Sequence, residues 1–209
     1  MEHERITLKN IMSQHKSHRS VIGDGYLTGK LLVAMPFLQE AQFVHSVIYV
    51  CGHDDQGAIG LIINKHIPNL TFKDLITQLH LNVDLDDYVP NFDVHYGGPI
   101  EVTRGFVLHS ADYKIDSTVM LSGKICITST LEILRALAAN RGPENFLVCL
   151  GYTGWAAGQL ETEIQENDWM IVDASQDLIF NTVLDHKWRN SMAAIGVDPT
   201  TLSIESGHA

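Results

Sequence analysis

The chain has 209 residues, 45% of them hydrophobic, with 25 acidic against 14 basic side chains and a formal net charge of −11. A chain of this length buries roughly 70% of its unfolded surface, enough for one sizeable core, while its negative field repels phosphate backbones and argues against direct nucleic-acid binding. No apolar run reaches the roughly 18 residues that span a bilayer, and residues 1–25 lack the apolar core of a signal peptide, so a soluble cytoplasmic protein with no membrane partner is expected.

Residues 1–25 read as a flexible polar tail, with Arg5, Lys9, Lys16 and Arg19 against Glu2 and Glu4. A single domain is expected over residues 26–197, followed by a frayed end at 198–209. Leu31 to Ala34 is the first strand, stopped by Pro36. Val47 to Cys51 and Ile59 to Ile63 are β-branched and apolar, and the turn residues between them make an antiparallel hairpin. His53 and Asp54 in that turn are better read as turn residues than as metal ligands. Thr71 to Leu81 carries Phe72, Leu75, Ile76 and Leu79 at helical spacing, with Thr71 or Asn69 as N-cap. Asn82 to Asn91 is an acidic connector with Asp84, Asp86 and Asp87, and it lacks the oxygen spacing of a calcium loop.

Val94 to Tyr96 and Gly105 to His109 flank a shaped loop at Gly97, Gly98 and Pro99, which has no phosphate-loop pattern behind it. A second hairpin pairs Val119 to Leu121 with Ile125 to Ile127. Ser129 and Glu132 form a capping box that opens a helix closing near Arg141 and Gly142. Cys51, Cys126 and Cys149 lie in apolar runs with no CxxC pair, as buried reduced thiols do. Leu184, Trp188, Met192 and Ile195 mark a last helix, with Gly196 beyond it.

The stretch from Asn145 to Trp169 draws the functional reading. Phe146 to Leu150 is a buried strand, Gly151, Gly154 and Gly158 punctuate a turn, and a polar helix follows through Leu160 and Ile164. Backbone freed by glycine at such a junction lets a ligand approach amide groups. Hairpins with helices inserted irregularly between them argue an α+β fold with a mixed, mainly antiparallel sheet.

Several segments together resemble the AlgH/YqgE family of bacterial proteins: Leu31 to Pro36, Gly57 to Asn64, Tyr96 to Ile100, Arg104 to His109, Gly151 to Glu163, Trp169, and Lys187 with Trp188. The similarity covers almost all of Tyr26 to Gly196, and nothing carries over to the longer N-terminal tail. The resemblance implies a compact α+β domain of unassigned biochemical activity. One member of that family is associated with transcriptional control of alginate production, which makes a transcriptional regulator without demonstrated direct DNA contact one of the alternatives.

The leading expectation is a non-enzymatic binding or regulatory module acting on a small molecule or a protein partner. Its candidate contacts are Asn64, Gly97, Gly98, Pro99, His109, Tyr152, Thr153, Gly154, Trp155, Gly158, Gln159 and Glu161. Each has a structural alternative: Tyr152 and Trp155 as core, Gln159 as a partner of backbone groups, Glu161 as a solvent-facing charge. A second reading is an enzyme in which His109 with Glu161 or Glu163 serves as acid/base, and Ser110 or Thr153 as nucleophile. The chain lacks GxSxG, HExxH and GxxxxGK[ST], so no catalytic residue, metal ligand or cofactor is assigned.

Overall fold

Strand sequences in which both alternating sets of residues are apolar must be covered on both faces, and the computed structural model, which describes residues 26–81 and 89–199, is built that way. The expected tail at residues 1–25, the 82–88 part of the acidic connector and residues 200–209 lie outside the described residues. In chain order the strands are β1 (Lys30–Ala34), β2 (Val47–Asp54), β3 (Gly57–Ile62), β4 (His66–Thr71), β5 (Asp93–Tyr96), β6 (Ile100–Ser110), β7 (Val119–Ser122), β8 (Ile125–Thr128), β9 (Phe146–Ala156) and β10 (Trp169–Asp173). The helices are α1 (Phe72–Gln78), α2 (Leu131–Ala138), α3 (Gln159–Gln165) and α4 (Leu184–Ala194), with a π-helical turn at Asp177–Asn181.

One ten-stranded sheet runs β10-β1-β2-β3-β9-β6-β8-β7, with β5 paired to β9 and to β4. Every pairing is antiparallel except β5 with β9. The fold is therefore α+β with a mixed, mainly antiparallel sheet in a single domain. The sheet curls on itself: a Cβ added at Gly29, just before β1, would fall 2.3 Å from Ser122 Cβ at the end of β7. Leu31 and Val33 of β1 and Val47 and Tyr49 of β2 enter one core with Trp188 and Met192 of α4. Leu32, Ala34, Ile48 and Val50 enter another on the opposite face, with Trp155, Leu160 and Trp169. The helices α1 and α2 close a third core over β5, β6 and β9. All three cysteines are buried and free.

Local rules account for most element ends. Thr71 caps α1 through a capping box with Asp74. Gly196 adopts φ 74°, and the Val197 amide returns to the Met192 carbonyl to end α4. Three expectations fail. The helix α1 stops at Gln78 rather than Leu81. Thr130, not Ser129, is the N-cap of α2, and its hydroxyl pairs with that of Ser117 at 3.1 Å instead of capping the helix. The third failure matters most: Gly151 and Gly154 are not a turn, since β9 runs on for 11 residues to Ala156. Gly151 adopts φ 74° within the strand, which its lack of a Cβ permits, and Gly98 packs face to face with it, so that a Cβ on Gly151 would lie 2.3 Å from the Gly98 carbonyl oxygen. Both Gly97 and Gly98 are thus spacers between two backbones.

Candidate functional site

The junction between β9 and α3 is reached only at Gly158, in the left-handed region at φ 74°. From there Gln159 folds its side chain back, accepting the Ala156 amide through Oε1 at 3.0 Å and donating through Nε2 to Glu163 Oε1 at 2.8 Å. The i,i+4 spacing places both side chains on one face of the helix. Glu163 Oε2 then accepts two indole donors, Trp155 Nε1 at 2.7 Å and Trp169 Nε1 at 2.8 Å. One carboxylate so fixes two large rings, which meet edge to face at 6.1 Å, and Phe43 packs edge-on against Trp169 at 5.6 Å.

These side chains wall a cleft of about 210 Å³ that is also lined by Glu40, Pro99, Ile100, Thr153, Gly154 and Asp168. Three carboxylates, Glu40, Glu163 and Asp168, therefore share one aromatic concavity. None of them has a cation within 4.0 Å among the described residues. Burial raises the pKa of Asp168, and the nearby charges of Glu163, Glu166 and Glu40 raise it further. Among the described residues no three His, Cys, Asp or Glu are placed to hold a metal ion.

A family model described as AlgH-like, DUF179, matches residues 31–200. The chain belongs to the AlgH-like family. It is 48% identical over 191 residues to a UPF0301 protein of Methylobacterium sp. (strain 4-46), covering 88% of this chain and 91% of that one. To a UPF0301 protein of Mesorhizobium japonicum it is 44% identical over 201 residues, covering 94% and 98%. The solution structure of AlgH from Pseudomonas aeruginosa matches with a TM-score of 0.70 at 33% identity, over 91% of this chain and all of that one. A Corynebacterium diphtheriae crystal structure, 19% identical with a TM-score of 0.63, shares the fold. The family's biochemical function is unassigned.

On this AlgH-like framework five of the expected contacts, Pro99, Thr153, Gly154, Trp155 and Gln159, line the cleft. The rest do not. Gly97 and Gly98 are sealed against β9, and Tyr152 is buried with its ring against Phe106 at 6.0 Å. Gly158 starts α3 and does not line the cleft. Asn64 spends both ends of its amide on backbone, accepting the Val47 amide at 2.7 Å and donating to the His45 carbonyl at 2.8 Å.

His109 is fully buried, and its bonding polarity is fixed by its neighbours. The Ser110 carbonyl can only accept, so Nδ1 carries the proton across 2.9 Å. Nε2 then accepts from the Thr128 hydroxyl, Thr128 from the Thr118 hydroxyl, and Thr118 from the Ile115 amide. Burial holds the His109 pKa below the ordinary imidazole value. Ser110 bonds Asp112 and the Asn145 backbone. The pairing of His109 with Glu161 or Glu163 does not form, and Ser110 is committed elsewhere.

The histidine that does meet a carboxylate is His53, read from sequence as a turn residue. Its Nε2 donates to Glu161 Oε1 at 2.9 Å, and its Nδ1 accepts the Leu27 amide at 3.1 Å. With both nitrogens engaged and 2% exposure, His53 latches α3 and the start of the described chain onto β2. Sequence reasoning also passed over Glu40, Phe43 and Asp168. Only the tryptophans that flank α3 signalled this side of the helix.

Proposed function

We propose that the protein is a non-enzymatic binding module whose cleft beside α3 receives a positively charged group with an apolar body, carried by a small molecule or by a protein partner. The observation that carries this reading is the arrangement of Glu40, Glu163 and Asp168 around the rings of Phe43, Trp155 and Trp169, with no cation of the described residues paired to any of the three. A cation over such rings gains about 0.5–2 kcal/mol from the ring faces alone, and it relieves the crowding of like charge that raises the Asp168 pKa. A regulatory role would follow from occupancy of this site by a partner. It does not require contact with DNA, which the net charge of −11 disfavours.

The test is thermal unfolding of the purified protein against benzyltrimethylammonium, a lysine- and arginine-rich peptide, and neutral and anionic analogues of each. A ligand at a hundred times its dissociation constant adds about 2.7 kcal/mol, or very roughly 5–10 °C for a chain of this size. Stabilisation by the cationic compounds alone, reduced in Asp168→Asn, supports the reading. A shift equal for neutral analogues, or unchanged in Asp168→Asn, contradicts it.

A further inference from the structure

A second concavity of about 510 Å³ lies between Val44 and His45 before β2, Asn64 and Lys65 after β3, and the first turns of α4. Its charge is the reverse of the first. Lys65 and Arg189 line it, together with His45 and His186, against the single carboxylate of Asp185. In a chain of net charge −11 that is a local excess of positive groups. Neither Lys65 nor Arg189 has a carboxylate within 4.0 Å among the described residues. Lys65 is partly buried, gives one bond to the Gln42 carbonyl at 2.8 Å, and has its pKa lowered by burial, so its ammonium is desolvated without a counter-charge.

The floor of the groove is rigid. The Trp188 indole is tied to the Ala34 carbonyl at 2.8 Å, the His45 ring sits on it at 4.2 Å, and Asn64 fixes the backbone on either side. Trp188 and Leu184 lie in α4, whose N-cap is Val183; this residue has no side chain able to bond the first-turn amides, and while the His186 amide closes onto the Val183 carbonyl at 2.9 Å, those of Leu184 and Asp185 have no acceptor among the described residues.

We infer that this groove binds a small molecule through a phosphate or an equivalent tetrahedral oxyanion. The Lys65 ammonium comes from the segment between β3 and β4, while the Arg189 guanidinium and the uncapped helix start both come from α4, so donors from two elements face the groove, which suits a tetrahedral dianion better than a planar carboxylate. The volume exceeds what phosphate alone fills, and Val44 and the His45 ring offer a surface for an organic body. Two permanent cations are too few for a nucleic-acid backbone. The site is independent of the cation cleft, with which it shares no lining residue.

The experiment is a ¹⁵N-resolved NMR titration at low ionic strength with inorganic phosphate, with phenyl phosphate, and with acetate as control, on the wild type and on Lys65→Gln and Arg189→Gln. The spectra themselves report whether each variant is folded. Saturable shifts are expected at the amides of residues 64–66 and 184–189, tighter for phenyl phosphate, weak for acetate, and weakened at least about 10-fold in each variant. Absence of saturable shifts with both phosphates, equal binding of acetate, or unchanged affinity in the variants would overturn the inference.

Discussion

Two polar clusters of this fold, one beside α3 and one at the end of β6, use similar residue types to opposite ends. Around His109 every donor meets an acceptor in one directed chain, from the Ile115 amide through Thr118 and Thr128 to the imidazole and on to the Ser110 carbonyl; the chain itself is neutral, and the one carboxylate beside it, Asp112, is held by the Ser110 hydroxyl and the Glu144 amide. Beside α3, Glu163 is also well bonded, yet by the neutral donors of Trp155, Trp169 and Gln159, and Glu40 and Asp168 add charge that no cation among the described residues neutralises. A histidine at a strand end looks more chemical in a sequence than a glutamate in a polar helix. The balance of lone pairs, donors and charge decides otherwise, and it assigns the histidine to the architecture.

The sharpest way to break the comparison is Glu163→Leu. Removing the shared acceptor strands two indole donors and one amide, and should cost about 2–4 kcal/mol, seen as a lower denaturation midpoint with altered near-ultraviolet tryptophan signals. Retained stability would mean that the rings are held by packing alone. Acidification probes the interior next. The His95 ring nitrogens are sealed from solvent, and burial, with the field of Lys187 adding to it, pushes the pKa to about 4. The unfolded chain therefore takes up this proton first as pH falls, so stability is full above about 6.5 and is lost toward pH 4, by up to about 3 kcal/mol. His109, lowered in the same direction by burial, adds to that loss. Denaturant midpoints between pH 7.5 and 4.5 should fall with this sign, and His95→Leu should flatten the slope.

His109→Phe comes next in size, at about 1–3 kcal/mol, since it leaves the Thr128 hydroxyl without its acceptor. Ligand affinity at the cleft should stay as it was, and a loss of binding in a folded His109→Phe protein would merge the two clusters into one functional unit. The smallest stability effect belongs to Asp168→Asn. Removing a crowded charge near the surface should change stability by roughly 0.5 kcal/mol or less, in the stabilising direction, while weakening the cation. Calorimetry of folding and binding on the same sample checks both signs.

Much of the fold was legible because it follows local rules. Apolar runs named β1, β2 and β3, and Thr71, one of two N-cap candidates beside Asn69, proved to start α1. What escaped depends on partners far away in sequence. Gly151 and Gly154 read as a turn because the backbone that Gly151 leaves room for, at Gly98, lies more than fifty residues earlier. The irregularity between Val50 and Gly52 shifts the phase of β2, so His53, paired with Ala58, turns toward α3 instead of following Tyr49 and Cys51 inward. On α4 the apolar spacing named Ile195, which is 39% exposed, whereas Lys187 is buried and donates to the Ile179 carbonyl of the π-helical turn. Five of the twelve site candidates share the cleft because they sit within the β9–α3 segment or the Pro99 loop that crosses it; Glu40 and Phe43 reach it from a segment that carries no motif, and Asp168 from the turn between α3 and β10.

The most direct test of the cation site follows the three indole N–H resonances during titration with benzyltrimethylammonium. Trp155 and Trp169 line the cleft, and Trp188 lies in the oppositely charged groove as an internal control. Saturable shifts of the Trp155 and Trp169 resonances with Trp188 unmoved, lost in Asp168→Asn, are the expected result. Three resonances that stay still, or that drift together without saturating, would contradict a cation-binding role for the cleft.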